Sequence, residues 1–189
     1  MHEVTTDTAD TAYTTTRTPA RVPLFWTSSA VIGCLLVSAG RRTASGLALD
    51  LSYRLLAGEF GRDRVVRYED IDFPPALTHE PTRRFLSETG LPENAFPLAA
   101  DDDWIPLPTL AEHYGDGALG EAAGHLVRLG RLPDGSDVVV DGPTGTVLTW
   151  HPSETTLRPL TPDVSTLVFT LWLLRRAGAV ESVTGFEPA

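Results

Sequence analysis

The residues able to do chemistry are few in this chain and poorly spaced for catalysis. Asp101-Asp102-Asp103 is the densest set of oxygen ligands, but consecutive side chains diverge and lack the spaced oxygens and turn glycine of a calcium loop. The triplet therefore reads as a solvated acidic turn. His79-Glu80 is half of a zinc-binding helix motif, and Arg83 stands where its second histidine belongs. His113, His125 and His151 are scattered without cysteine partners, and no Gly-x-Ser-x-Gly elbow surrounds any serine. The single cysteine, Cys34, rules out the Pro-Cys-x-x-Cys segment of a zinc deaminase. A metal hydrolase using Asp101–Asp103 with His113 fails on the same ligand spacing. No catalytic residue, metal or cofactor is expected, and the chemistry on offer is that of a surface.

The acidic triplet regains interest on those terms. Asp101, Asp102, Asp103 and Trp104 set an aromatic anchor beside a carboxylate field, with Glu112 and Asp116 close in sequence, a combination suited to a basic protein partner. The bland alternative turns Trp104 inward and leaves the aspartates to solvate a loop. Residues 1–60 hold five acids and five arginines, so the whole formal charge of −10 falls on residues 61–189. A domain so acidic repels nucleic acid and attracts basic partners. All of the Lys and Arg positions are arginine, with no glutamine and only Asn94 as asparagine, which reads as the codon bias of a GC-rich genome.

The elements that must carry this surface are best marked in the last third. Pro133-Asp134-Gly135-Ser136 and Gly142-Pro143-Thr144-Gly145 combine the fixed φ of proline with the positive φ open to glycine. They predict a three-stranded meander over 125–132, 137–141 and 146–151. Consecutive Val138, Val139 and Val140 predict a central strand buried on both faces, and the alternation of Val147 and Thr149 with Leu148 and Trp150 predicts one core face for the third strand. A helix is predicted over 161–178, with Thr161 as cap, Pro162 at its first position, Asp163 in its first turn and Gly178 as its stop. Val164, Leu167, Val168, Leu171 and Leu174 form its stripe, widened by Phe169, Trp172 and Leu173 until two sides are apolar.

Earlier in the chain, a helix is predicted within 47–60 and a short strand over 65–68. A second helix follows, with Thr78 as cap, Glu80 and Pro81 in the first turn, Phe85 and Leu86 buried, and Gly90-Leu91-Pro92 ending it. A short helical pattern surrounds Leu110. Residues 1–21 are threonine-rich and too polar to offset the entropy of ordering. The apolar run 24–39 is interrupted by serine and threonine and short for a membrane span. Val37-Ser38-Ala39 resembles a signal-peptidase site, but Glu3, Asp7 and Asp10 stand where a signal segment wants positive charge. An upstream extension or a peripheral helix accounts better for the run, with membrane association as the weaker alternative. The lone cysteine suits a reducing cytoplasm.

The series from Leu77-Thr78-His79-Glu80-Pro81 to Phe85-Leu86, then Gly90-Leu91-Pro92, Leu129-Gly130, Asp141-Gly142 and Thr144-Gly145 before a terminal helix, resembles the SUKH superfamily of bacterial immunity proteins, in its fourth subgroup. The resemblance covers about 60–178 and rests on order and spacing, since none of these short motifs is diagnostic alone. It implies an α+β domain with a mostly antiparallel central sheet flanked by helices, and a role in binding and neutralising a cognate basic toxin, often a nuclease or deaminase. It implies no catalytic residue. The same fold also suits an intracellular regulatory or scaffold module without a toxin partner. The domain is expected over 46–180, with 1–45 and 181–189 as tails. A chain starting at Ser45 is accordingly expected to stay soluble and to unfold cooperatively in urea; an insoluble product would place the 24–39 run in the core.

Overall fold

The computed structural model describes residues 43–99, 105–115, 120–154 and 156–184. Within them the order is α1 (Tyr53–Phe60), β1 (Val65–Val66), α2 (Glu80–Glu88), β2 (Leu91–Pro92), α3 (Leu110–Tyr114), β3 (Leu126–Arg131), β4 (Asp137–Asp141), β5 (Val147–Trp150), β6 (Leu157–Thr161) and α4 (Val164–Thr184). Short 3-10 turns occupy Arg62–Arg64, Asp70–Asp72 and Gly120–Gly124. The fold is α+β: an antiparallel sheet in the order β3-β4-β5-β6, with α4 packed on it, and a small antiparallel pair β1-β2.

The sheet has a core on each side, and β4 divides them. Val138 and Val140 point to the larger cluster, with Val127, Leu129 and Val147 from the neighbouring strands. Val139 points to the smaller one, with Leu110, Leu126 and Trp150. That is the two-faced burial expected of the central strand. β5 is a correction, since Val147 belongs to the first core and Trp150 to the second. It is an interior strand and covered on both sides, because β6 pairs with it from Leu157 to Thr161. β6 itself escapes the sequence reading. As an edge strand it tolerates Pro159, whose missing N–H would weaken an interior one.

Helix α4 fills the larger core. Val164, Leu167, Val168 and Leu171 are fully buried, and Ser165, Thr166 and Thr170 are buried as well, so its first two turns are enclosed nearly all round. Its start lies two residues later than expected. Thr161 is the last residue of β6, paired with Val147, and Asp163 is the side chain that accepts from the Thr166 N–H (3.0 Å). Asp163 also ties down the entering chain, since the Ala48 N–H donates to its other carboxylate oxygen at 2.6 Å and the Leu49 N–H to Ser165 Oγ at 3.1 Å. Leu47 is buried in the same core. Gly178 does not end the helix, which runs through it to Thr184.

α2 begins one residue later than predicted, after His79, and its entry explains the motif series. The Thr78 and His79 N–H groups both donate to the Gly142 carbonyl, at 3.2 and 2.9 Å, and the Gly142 N–H donates to the His125 carbonyl at 2.9 Å. A Cβ at Gly142 would collide with the Ala76 backbone, and one at Gly145 with the His79 ring. The separated motifs at 77–81, 141–142 and 144–145 are therefore one joint, which holds α2 to the β4–β5 turn. Leu171→Ala, deep in the main core, is expected to cost about 2–5 kcal/mol in urea unfolding; a surface-like change below about 0.5 kcal/mol would place the stripe outside the core.

Candidate protein-binding surface

Among the described residues three large apolar side chains stand out most to solvent: Ile71 at 84% exposure, Phe96 at 70% and Ile105 at 49%. Ile71 sits in the Asp70–Asp72 turn, and that turn is locked. The Glu69 side chain accepts from the Asp72 backbone, while the Glu69 N–H donates to Asp72 Oδ2 at 2.8 Å. Arg83 adds a bond to Asp70 Oδ1 (3.0 Å), another to the Leu77 carbonyl (3.2 Å), and lies 4.8 Å from the centre of the Phe73 ring. The carboxylates around Ile71 thus hold the turn as well as charge it.

Backbone bonds fix the segments that carry the other two side chains. The Leu107 N–H donates to the Asp72 carbonyl at 2.9 Å, which sets the Ile105 segment against the Ile71 turn. Glu93, three residues before Phe96, is fixed by its N–H to the Arg64 carbonyl at 2.7 Å. Asp72 and Glu93 both bear electrostatically on the buried Tyr68 hydroxyl. Burial first, and those two negative charges second, push the Tyr68 phenol far above its ordinary range. Phe96 opens a groove of about 310 Å³, shared with Pro97, Leu98, Leu132 and Pro133. Exposed apolar side chains gathered in a polar rim are the usual composition of an interaction surface.

Behind this surface a buried charge network fixes the edge of the sheet. Asp137, fully buried, accepts from Arg128 Nε at 2.7 Å and Arg131 Nε at 3.4 Å, while the Tyr114 hydroxyl donates to its second oxygen at 2.6 Å. The Tyr114 ring stands edge-on to Trp150, with centroids 5.1 Å apart. Desolvation and the bond to Asp137 raise the Tyr114 phenol above its ordinary value, against the opposing pull of the two arginines. Ala99 and Arg131 exchange backbone bonds of 2.9 and 2.8 Å, and the Arg128 N–H donates to the Pro108 carbonyl at 2.8 Å. The outer edge of β3 is covered by these two stretches, and the Ala99 stretch joins the sheet to the Phe96 loop.

Of the six residues expected to meet a partner, Asp101, Asp102, Asp103, Trp104 and Asp116 lie outside the described residues. Their flanking residues are placed: Ala99 and Ile105 on either side of the first group, and Gly115, which follows Tyr114, before the last. Glu112 is described, and its carboxylate accepts from the Thr109 N–H (2.7 Å) and hydroxyl (3.0 Å), closing a capping box on α3. Asp134 and Asp141, the other acidic turns, are engaged likewise, with Ser136 and Thr144 respectively. The sequence reading passed over Ile71, Phe96 and Ile105. The signal was there for Ile71, the lone apolar residue in Glu69-Asp70-Ile71-Asp72, where three acidic neighbours leave it no buried periodicity to join.

Among the described residues no group of three or more His, Cys, Asp or Glu side chains could hold a metal ion, and no helix is long and apolar enough to cross a membrane. The 24–39 run lies outside them. The fold is an α+β domain with exposed apolar side chains beside acidic turns. A family model for SUKH-4 immunity proteins matches residues 51–183, and the chain belongs to that family. Comparison with curated proteins and with solved structures gives no match.

The buried Tyr68 phenol and the partly buried Tyr114 phenol carry a pH dependence whose sign is fixed. Both have folded values above the ordinary 10.0, so their contribution is fully present below that value and is lost as pH rises through the folded values. The urea midpoint is expected to fall between neutral pH and about pH 11, and Tyr68→Phe should flatten that fall; a variant as pH-sensitive as the parent would contradict the assignment.

Proposed function

We propose that this protein binds and neutralises a cognate toxin with a basic surface, of nuclease or deaminase type, by covering that surface in the cytoplasm of the cell that makes it, with no chemistry of its own. Membership of an immunity family supports the role. The observation that carries the location is the exposure of Ile71 on a turn locked by Glu69, Asp72 and Arg83. A large apolar side chain held rigidly in water gains most by burial in a partner, and it loses little conformational entropy in doing so.

The division of labour follows from the physics of each group. Ile71, Phe96 and Ile105 supply the desolvated contact, which governs dissociation. The carboxylates of Glu69, Asp72 and Glu93, with Asp101, Asp102 and Asp103 between Ala99 and Ile105, supply the field that speeds encounter with a basic protein. Trp104 and Asp116 are proposed to contribute to partner binding as well, whereas Glu112 acts chiefly through its cap on α3.

The test is capture from the native host followed by kinetics with the purified partner. Wild-type protein is expected to retain a basic protein whose toxicity it suppresses at equal stoichiometry. Ile71→Arg and Phe96→Ala should each raise the dissociation rate roughly tenfold or more while shifting stability by no more than about 0.5 kcal/mol. Replacing Asp101, Asp102 and Asp103 together by asparagine should slow association and reduce its dependence on salt. Unchanged kinetics in all three variants would move the interface to another face.

A further inference from the structure

Among the described residues every arginine except Arg54, Arg62 and Arg64 meets a carboxylate or an aromatic ring. Those three fall together, Arg54 on α1 and the others on the Arg62–Arg64 turn that follows it. Of the acids beside them in sequence, Glu59 is turned to Arg176 at 3.2 Å, and Asp63 makes no ion pair among the described residues. In a chain of net charge −10 this is a place where, among the described residues, three arginines stand without an ion-pair partner.

The same place is concave. A groove of about 380 Å³ is lined by Tyr53, Arg54, Ala57, Gly58 and Arg62. Residues 53, 54, 57 and 58 share one side of the helix, and the two small ones make a low floor. A Cβ built at Gly58 meets nothing within 4 Å, so the floor is open to solvent. Tyr53 is braced as a wall, its hydroxyl donating to the Arg62 carbonyl at 3.4 Å and the Arg67 guanidinium lying 4.9 Å from its ring centre.

We propose that this groove binds a nucleoside phosphate, with the phosphate between the Arg54 and Arg62 guanidinium groups and the base against Tyr53. Guanidinium forks match phosphate oxygens in a bidentate manner, and the volume falls within the range of small-ligand sites, about 300–1,000 Å³. One ring and two cations across a short groove suit a mononucleotide better than an extended acidic peptide, which needs a row of cations. The groove shares no lining residue with the Ile71 surface and does not rest on the toxin reading.

Isothermal titration of the full chain at low salt tests it, with ADP, adenosine, tripolyphosphate and a hexaglutamate peptide as probes. ADP should bind and adenosine should not. Arg54→Ala with Arg62→Ala should weaken ADP roughly tenfold or more, and Gly58→Leu, whose side chain enters open space on a helix, should block the groove without lowering the unfolding midpoint. Absence of ADP binding, or binding that both variants leave intact, overturns the proposal. Tripolyphosphate binding as tightly as ADP would overturn it in favour of a bare anion site, and tighter binding of hexaglutamate would overturn it in favour of an acidic protein partner.

Discussion

Strand β4 is buried from Asp137 to Val140, and this constraint shapes everything around it. Three consecutive valines cannot share one face, so the sheet needs cover on both sides. The helices α1, α2 and α4 supply one cover, and α3 with the Gly120–Gly124 turn supplies the other. The strand also begins with a carboxylate that has no access to water. Asp137 is tolerable there because Arg128 and Arg131 neutralise it and Tyr114 satisfies its second oxygen. A buried pair of this kind gives little net stability over an apolar replacement, but loss of one member leaves an uncompensated charge. Its effect is to fix geometry: Tyr114 at the end of α3 and Arg131 at the end of β3 are held to the two oxygens of one carboxylate.

That geometry reaches the proposed interface through the backbone. Arg131 is bonded to Ala99, so the Phe96 loop is seated on the sheet edge and does not float above it. The Leu107 bond to Asp72 joins the next stretch to the Ile71 turn. Backbone bonds at Ala99 and Leu107 therefore lie on either side of residues 101–103 in sequence, and in the proposed reading they hold the Phe96 and Ile105 segments before a partner arrives. Preorganisation matters because the ordering cost of association is subtracted from every contact made.

The meander was legible because its turns are written in residues with few conformational options, Pro133-Asp134-Gly135-Ser136 above all. The start of α4 was less so, since Thr161-Pro162-Asp163 offers two capping side chains and only the pairing of Thr161 with Val147 decides between them. β6 was hidden by Arg158 and Pro159, which suit an edge strand and nothing periodic. β2 was hidden similarly, because Leu91-Pro92 also reads as a helix stop, and it is both. Family motifs were visible as spacing, while their meaning, a joint between Thr78, His79 and Gly142, needed the third dimension. The interface anchors were the least legible part. Periodicity finds apolar residues that face inward, and Ile71, Phe96 and Ile105 belong to no period.

The central claim is that the Ile71, Phe96 and Ile105 surface is what meets the toxin. Hydrogen–deuterium exchange of the protein alone and in complex with its cognate toxin tests it most directly. Slowed exchange is predicted at 69–73, 94–99 and 105–107, with the edge strand β6 and the arginine groove on α1 unaffected. Protection confined to β6 or α1, with none around Ile71 and Phe96, would contradict the account.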